Sequence, residues 1–224
     1  MSTGRPAGTG RVRGDTGRHA LILTGGPLPR RLGPLPDANL IIAADEGIDN
    51  AGRLGLAVDL LVGDLDSASA GAEDAARDVQ RHPVDKDETD LELALAAAID
   101  AGMASVTVVV TVGGRPDHAL GNLLVLAGAR WAALRIGIRI DGARAWVVRD
   151  QVRVDGSADD LVSLLAIGGP ADGVTTTGLA WPLDDARLEP GLGLGLSNRM
   201  TGSVAGVSVS TGTVLVIAPG DSTD

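Results

Sequence analysis

The hydrophobic pattern of this 224-residue chain changes character about two thirds of the way along. In the first part, short apolar runs alternate with helical spacing. Ala20–Thr24 and Leu40–Ala44 read as strands, the second ending directly in Asp45, and a short helix over Gly47–Leu54 follows. Leu60-Leu61-Val62 is a third strand, ending in Gly63-Asp64, after which helical spacing returns. Thr89–Ala101 is the strongest helix, because Thr89 and Glu92 form an S/T-x-x-E capping box. Ser105–Val112 is a β-branched run of the kind buried on both faces, and a helical stretch over Asp117–Leu134 follows Gly113-Gly114-Arg115.

Strand–helix alternation predicts a doubly wound, Rossmann-like parallel sheet. Beyond about Ile140 only short β-type runs remain: Ala145–Val148, Leu161–Ile167, Val174–Thr177, Ser203–Val209 and Val214–Ala218. Gly, Pro and Asp punctuate them, which predicts a small all-β sandwich or barrel. The expected organisation is a disordered tail over 1–18, an α/β domain over 19–141 and a β-sandwich domain over 142–224, with the boundary near Asp141-Gly142.

Charge sharpens this picture. Between Asp45 and Asp90 there are 13 acidic residues against Arg53, Arg77, Arg81 and Lys86, nearly the whole net charge of −10. Two clusters stand out, Gly63-Asp64-Leu65-Asp66-Ser67 and Asp85-Lys86-Asp87-Glu88-Thr89-Asp90. In a parallel sheet, ligands sit outside the carboxyl ends of the strands, so Asp45, Asp64, Asp66 and Arg115 should share one rim. Carboxylates there suit a divalent metal carrying polyphosphate, with Lys or Arg neutralising transferred charge. A solvated acidic surface is the plainer alternative.

Composition excludes other chemistries. There is no Cys, and His19, His82 and His118 are scattered, so thiolate sites, disulfides and a zinc pair are excluded. The acidic balance argues against nucleic acid. No apolar run reaches a membrane-spanning length and no signal segment is visible, so a cytoplasmic protein is expected. There is no Walker-type loop and no G-x-S-x-G. Phe and Tyr are absent, and Lys86 is the only Lys, although the chain is rich in Arg.

Five blocks in order resemble the thiamine pyrophosphokinase family, from about His19 to Ile217. They are Ala44-Asp45-Glu46-Gly47 through Asn50; Val62 to Ser67; Lys86 to Thr89-Asp90; Gly113-Gly114-Arg115-Pro116-Asp117-His118 through Asn122; and Thr177-Gly178-Leu179-Ala180-Trp181 with Ser197-Asn198. The resemblance implies that ATP donates a pyrophosphoryl group to thiamine, giving AMP and thiamine diphosphate. It implies that Asp64, Asp66 and Asp90 hold Mg²⁺ and that Lys86 and Arg115 contact phosphates. By the same resemblance Asp45, Asn50 and Thr89 line the nucleotide side, and Asp117 orients Arg115 or the acceptor hydroxyl. Trp181, Ser197 and Asn198 would contact thiamine, and a homodimer is implied. The residues alone also admit plainer roles: Asp117 as a helix cap, Trp181 as core, Asn50 on a helix surface and Ser197-Asn198 as turn chemistry. The alternatives for function are a pyrophosphokinase acting on a hydroxymethyl-pterin and a non-catalytic nucleotide-binding module.

Overall fold

The computed structural model describes residues 17–29, 31–66, 68–69, 71–111 and 115–220. Residues 1–16 of the expected tail, together with Ser67, Gly113 and Gly114 of the quoted blocks, lie outside the described residues.

The first half builds the parallel sheet. Its strands are β1 (His19–Leu23), β2 (Leu40–Ala44), β3 (Val58–Gly63), β4 (Ala76–Arg81), β5 (Ser105–Val110) and β6 (Arg135–Ile140). The helices are α1 (Gly47–Arg53), α2 (Asp90–Asp100) and α3 (Pro116–Leu126). The order across the sheet is β6-β5-β1-β2-β3-β4, all parallel. The chain winds outward from β1 to β4, then crosses back to lay β5 on the other side of β1. Ile48 and Ala51 of α1 pack on one face with Leu21, Leu23 and Leu61. Leu91 and Leu95 of α2 pack on the other face with Ile22, Ile42 and Val108. Both faces are therefore covered, which explains the continuous apolar strands.

The second half adds β7 (Ala143–Val148), β8 (Gln151–Asp155), β9 (Leu161–Ala166), β10 (Ala171–Thr177), β11 (Ala186–Leu188), β12 (Asn198–Arg199), β13 (Val204–Ser208) and β14 (Val214–Ala218). A four-stranded sheet, β11-β10-β13-β8, packs over β9, β14 and β7 through Val154, Leu164, Val174, Leu188 and Val207. The α/β-plus-sandwich class is the one read from the sequence. The sheet does not stop between the halves, however. Asp141-Gly142 is the turn of the β6–β7 hairpin, and β7, β14, β9 and β12 continue the parallel sheet as antiparallel strands to make ten.

Two local expectations are corrected. Helical spacing after Asp64 gives way to the edge strand β4, whose ARDVQR sequence is largely exposed and so lacks an apolar signature. The helix expected to reach Leu134 ends at Leu126, and a 3-10 turn over Ala129–Trp131 follows. Arg149, brought in from beyond β7, donates to the carbonyls of Ala127 (2.9 Å) and Gly128 (2.8 Å) and so caps that end. The segment RIGIRI after it is strand β6, buried on alternate positions. The capping box of α2 is present, with Thr89 Oγ1 accepting from the Glu92 amide and the Glu92 carboxylate accepting from the Thr89 amide.

Candidate functional site

The crossover that reverses at β1 leaves a crevice between the carboxyl ends of β1 and β5, the place where doubly wound sheets bind ligands. A cleft of ≈ 590 Å³ occupies it. Its walls are Thr24-Gly25-Gly26 after β1, Asp45-Glu46 after β2, Thr89-Asp90 at the start of α2, Thr111 after β5, and Arg115, Asp117, His118 and Asn122 at α3.

The glycine turn after β1 is fixed by side chains from neighbouring loops. Asn50 is buried and donates both amide hydrogens, to Thr24 O and Gly26 O, each at 2.9 Å. Thr111 Oγ1 donates to Gly25 O at 2.8 Å, and the Glu46 carboxylate accepts from the Gly26 amide at 3.2 Å. Asn50 is therefore neither a helix-surface residue nor part of the cleft wall; its amide is committed to backbone. Thr111 and Glu46 are cleft residues that the sequence reading did not assign. Their positions directly after a strand were the available signal.

At one end of the cleft four carboxylates converge. Oxygens of Asp45, Asp64 and Asp66 lie within 4.8 Å of one another. Asp90 joins them from α2: a Cβ placed on Gly63 would sit 3.2 Å from both Asp45 Cβ and Asp90 Oδ1. Gly63 is thus the gap that lets the two acids approach. Lys86 Nζ lies 3.2 Å from Asp64 Oδ2 and 3.2 Å from Asp90 Oδ1, with its side chain only 12 % exposed. The Asp66 amide donates to Asp64 Oδ1 at 3.2 Å. That bond and then the Lys86 contact hold the Asp64 carboxyl below the usual carboxylate range. Burial, and then the Asp90 charge, push Asp45 up to about 6. Burial opposes the Lys86 ammonium, but its hydrogen bonds to Asp64 and Asp90 outweigh that and raise it.

The residues fit a hard divalent cation. The donors are all carboxylate oxygens, and Asp45 Oδ1 is buried without a hydrogen-bond partner. The clustered set is Asp45, Asp64 and Asp66; Asp90, named with Asp64 and Asp66 from the sequence, lies beside it, and Lys86 bridges Asp64 and Asp90.

At the other end Arg115 and Asp117 form a two-bond ion pair, Nη2–Oδ2 at 2.6 Å and Nε–Oδ1 at 3.3 Å, both side chains being exposed. The guanidinium holds Asp117 down to about 2. Asp117 is thus ion-paired with Arg115 and is not the helix cap, a position Arg115 itself takes.

Trp181, Ser197 and Asn198 lie elsewhere. Asn198 is buried on β12, and its side chain clamps the Trp181 backbone: Oδ1 accepts from the Trp181 amide (3.1 Å) and Nδ2 donates to its carbonyl (2.6 Å). Ser197 takes a left-handed φ of 56° and its amide donates to Ser163 Oγ. Trp181 is 61 % exposed, so it is not core. Four strands separate β12 from β5, about 24 Å across the sheet at about 4.8 Å per strand spacing, and the carboxylates lie farther still, beyond β2 and β3.

Comparison with known proteins yields two adjoining family matches. "Thiamin pyrophosphokinase, catalytic domain" matches residues 35–140, and "Thiamin pyrophosphokinase, vitamin B1 binding domain" matches residues 150–216. A Bacillus subtilis thiamine pyrophosphokinase is 27 % identical over 210 residues, covering 89 % of this chain and 98 % of that one. Among solved structures, the B. subtilis thiamine pyrophosphokinase superposes with a TM-score of 0.76 at 24 % identity over 91 % of this chain and 100 % of that one. The Geobacillus thermodenitrificans thiamin pyrophosphokinase gives 0.71 at 28 % identity, over 92 % and 99 %.

Proposed function

The chain belongs to the thiamin pyrophosphokinase family, and from that premise we propose that it transfers the pyrophosphoryl group of ATP to the hydroxyethyl oxygen of thiamine. A bond forms between that oxygen and Pβ, the bond from Pβ to the α,β-bridging oxygen breaks, and AMP and the hydroxyl proton depart. The observation that carries this reading is the convergence of Asp45, Asp64, Asp66 and Asp90, two of them held by Lys86, at the carboxyl ends of β2 and β3 beside the sheet's switch point. The match of residues 150–216 to a vitamin B1 binding domain favours thiamine over a hydroxymethyl-pterin.

Asp45, Asp64 and Asp66 would hold Mg²⁺, which when bound neutralises the triphosphate and polarises it for attack. The Gly25-Gly26 turn offers backbone close to the nucleotide, and Asn50 and Thr111 hold it in place. Arg115, aimed by Asp117, supplies positive charge to the transferred group. Asp117, held near 2, is a poor proton acceptor at neutral pH, so positioning and electrostatics carry the rate.

The thiamine side is Trp181, placed by Asn198. Its separation from the carboxylates supports a homodimer in which one protomer's Trp181 faces its partner's cleft. Exposed Leu120 and Leu124 beside the cleft, and Leu192, Leu194 and Leu196 near the sandwich, supply apolar surface for such an interface. Incubation with ATP, Mg²⁺ and either thiamine or hydroxymethyl-pterin tests the function. AMP and thiamine diphosphate are expected, and absence of AMP with both acceptors refutes it. Mixing Asp66→Asn with Trp181→Ala protein should restore part of the activity each lacks if the site is shared between protomers.

A further inference from the structure

We propose that Lys86 is the resident counter-cation of the metal-free carboxylate cluster, and that divalent metal displaces it from Asp64 and Asp90 toward the triphosphate. The inference rests on the proposed function above and adds an order of events at the same site.

The geometry carries it. Lys86 sits between two carboxylates at equal 3.2 Å distances and is 12 % exposed, as is Asp64. Both Asp64 oxygens are occupied, Oδ1 by the Asp66 amide and Oδ2 by Lys86. Asp64 cannot offer Oδ2 to a cation shared with Asp45 and Asp66 without giving up the ammonium. Two cations at one carboxylate also repel each other. Like charges packed this closely need compensation when no metal is bound, and Lys86 is paired with two of them, Asp64 and Asp90.

Residue choice agrees as well. The chain holds one Lys among 19 basic residues, so the other 18 are Arg (19 − 1). An ammonium is a compact point charge on a flexible stem, able to fit between two acids and to leave. A guanidinium fork binds a carboxylate through two bonds and releases it less readily. Lys86 lies four residues before Asp90, at the mouth of α2, with the cleft on that side.

The single Lys makes the test direct. Wild-type protein carrying ¹³C at lysine Cε should give one Cε–Hε cross-peak. Mg²⁺ alone should move that peak, and the unreactive α,β-methylene analogue of ATP with Mg²⁺ should move it again. A peak that stays in place while calorimetry shows Mg²⁺ bound overturns the proposal. As a second measurement, Lys86→Met should bind Mn²⁺ alone about tenfold more tightly and the Mn²⁺–analogue complex about tenfold more weakly, the scale of one charge-assisted contact. Weakening of both would mark Lys86 as a structural ion-pair partner, and uptake of Mn²⁺ by neither protein would also overturn the proposal. The family reading fails separately, through absence of AMP and thiamine diphosphate in the wild-type assay.

Discussion

Asn198→Ala tests the division of labour in the β-rich half. The buried Asn198 side chain makes three hydrogen bonds to backbone: from the amides of Trp181 (3.1 Å) and Arg199 (2.9 Å), and to the carbonyl of Trp181 (2.6 Å). Each such bond contributes about 1 kcal/mol net. Losing all three should cost about 3 kcal/mol. For a chain of this size that corresponds to a melting temperature lower by roughly 6–12 °C. Differential scanning calorimetry in Mg²⁺-free buffer measures it. The KM for thiamine should rise as Trp181 loses its placement, while Mn²⁺ affinity stays unchanged. Asn198→Asp should behave similarly, because it sets a carboxylate oxygen against the Trp181 carbonyl. A variant that melts with the wild type and differs only in thiamine KM would refute the clamp and make Asn198 a direct thiamine ligand.

Gly63→Ala should destabilise the protein by about 1–3 kcal/mol, since its φ of +152° is strained for a side chain and the new methyl meets Asp45 and Asp90 at 3.2 Å. Urea denaturation reads this, with Mn²⁺ affinity falling in parallel. Asp66→Asn should abolish turnover and leave the melting temperature near that of the wild type, because Asp66 is exposed; near-normal rates at saturating Mg²⁺ would remove it from the metal set. Asp45 titrates near 6, above its unfolded value, so the metal-free protein should gain stability as pH falls from about 6 toward 4. Metal binding has the opposite dependence and should weaken about tenfold per pH unit below 6, as Mn²⁺ titrations at pH 5 and pH 7 would show.

The acidic rim was legible because Asp45 and Asp64 each follow a strand directly, and strand ends can be read from apolar runs. Asp45 was read onto that rim but not into the metal set, because its approach to Asp90 depends on the missing Cβ of Gly63, a three-dimensional fact. Asn50 and Asn198 were marked by the family resemblance, yet both bind backbone. Sequence marks a polar residue as worth keeping without saying whether its partner is ligand or main chain. β4 escaped because an edge strand needs little apolar surface, and the end of α3 escaped because its cap, Arg149, arrives from 22 residues away.

The hairpin at Asp141-Gly142 has a consequence for folding. Ala145, Val147 and Leu215, all beyond the turn, belong to the same core as Leu95, Val108 and Leu134. Neither half can melt without uncovering the other's apolar side chains, and an unbroken ladder of backbone bonds joins them. The enzyme should therefore denature in one cooperative transition, and cutting the chain after Ile140 should yield two aggregating fragments. Opening and closing about a hinge at that turn is likewise excluded, so substrates must meet on a rigid frame.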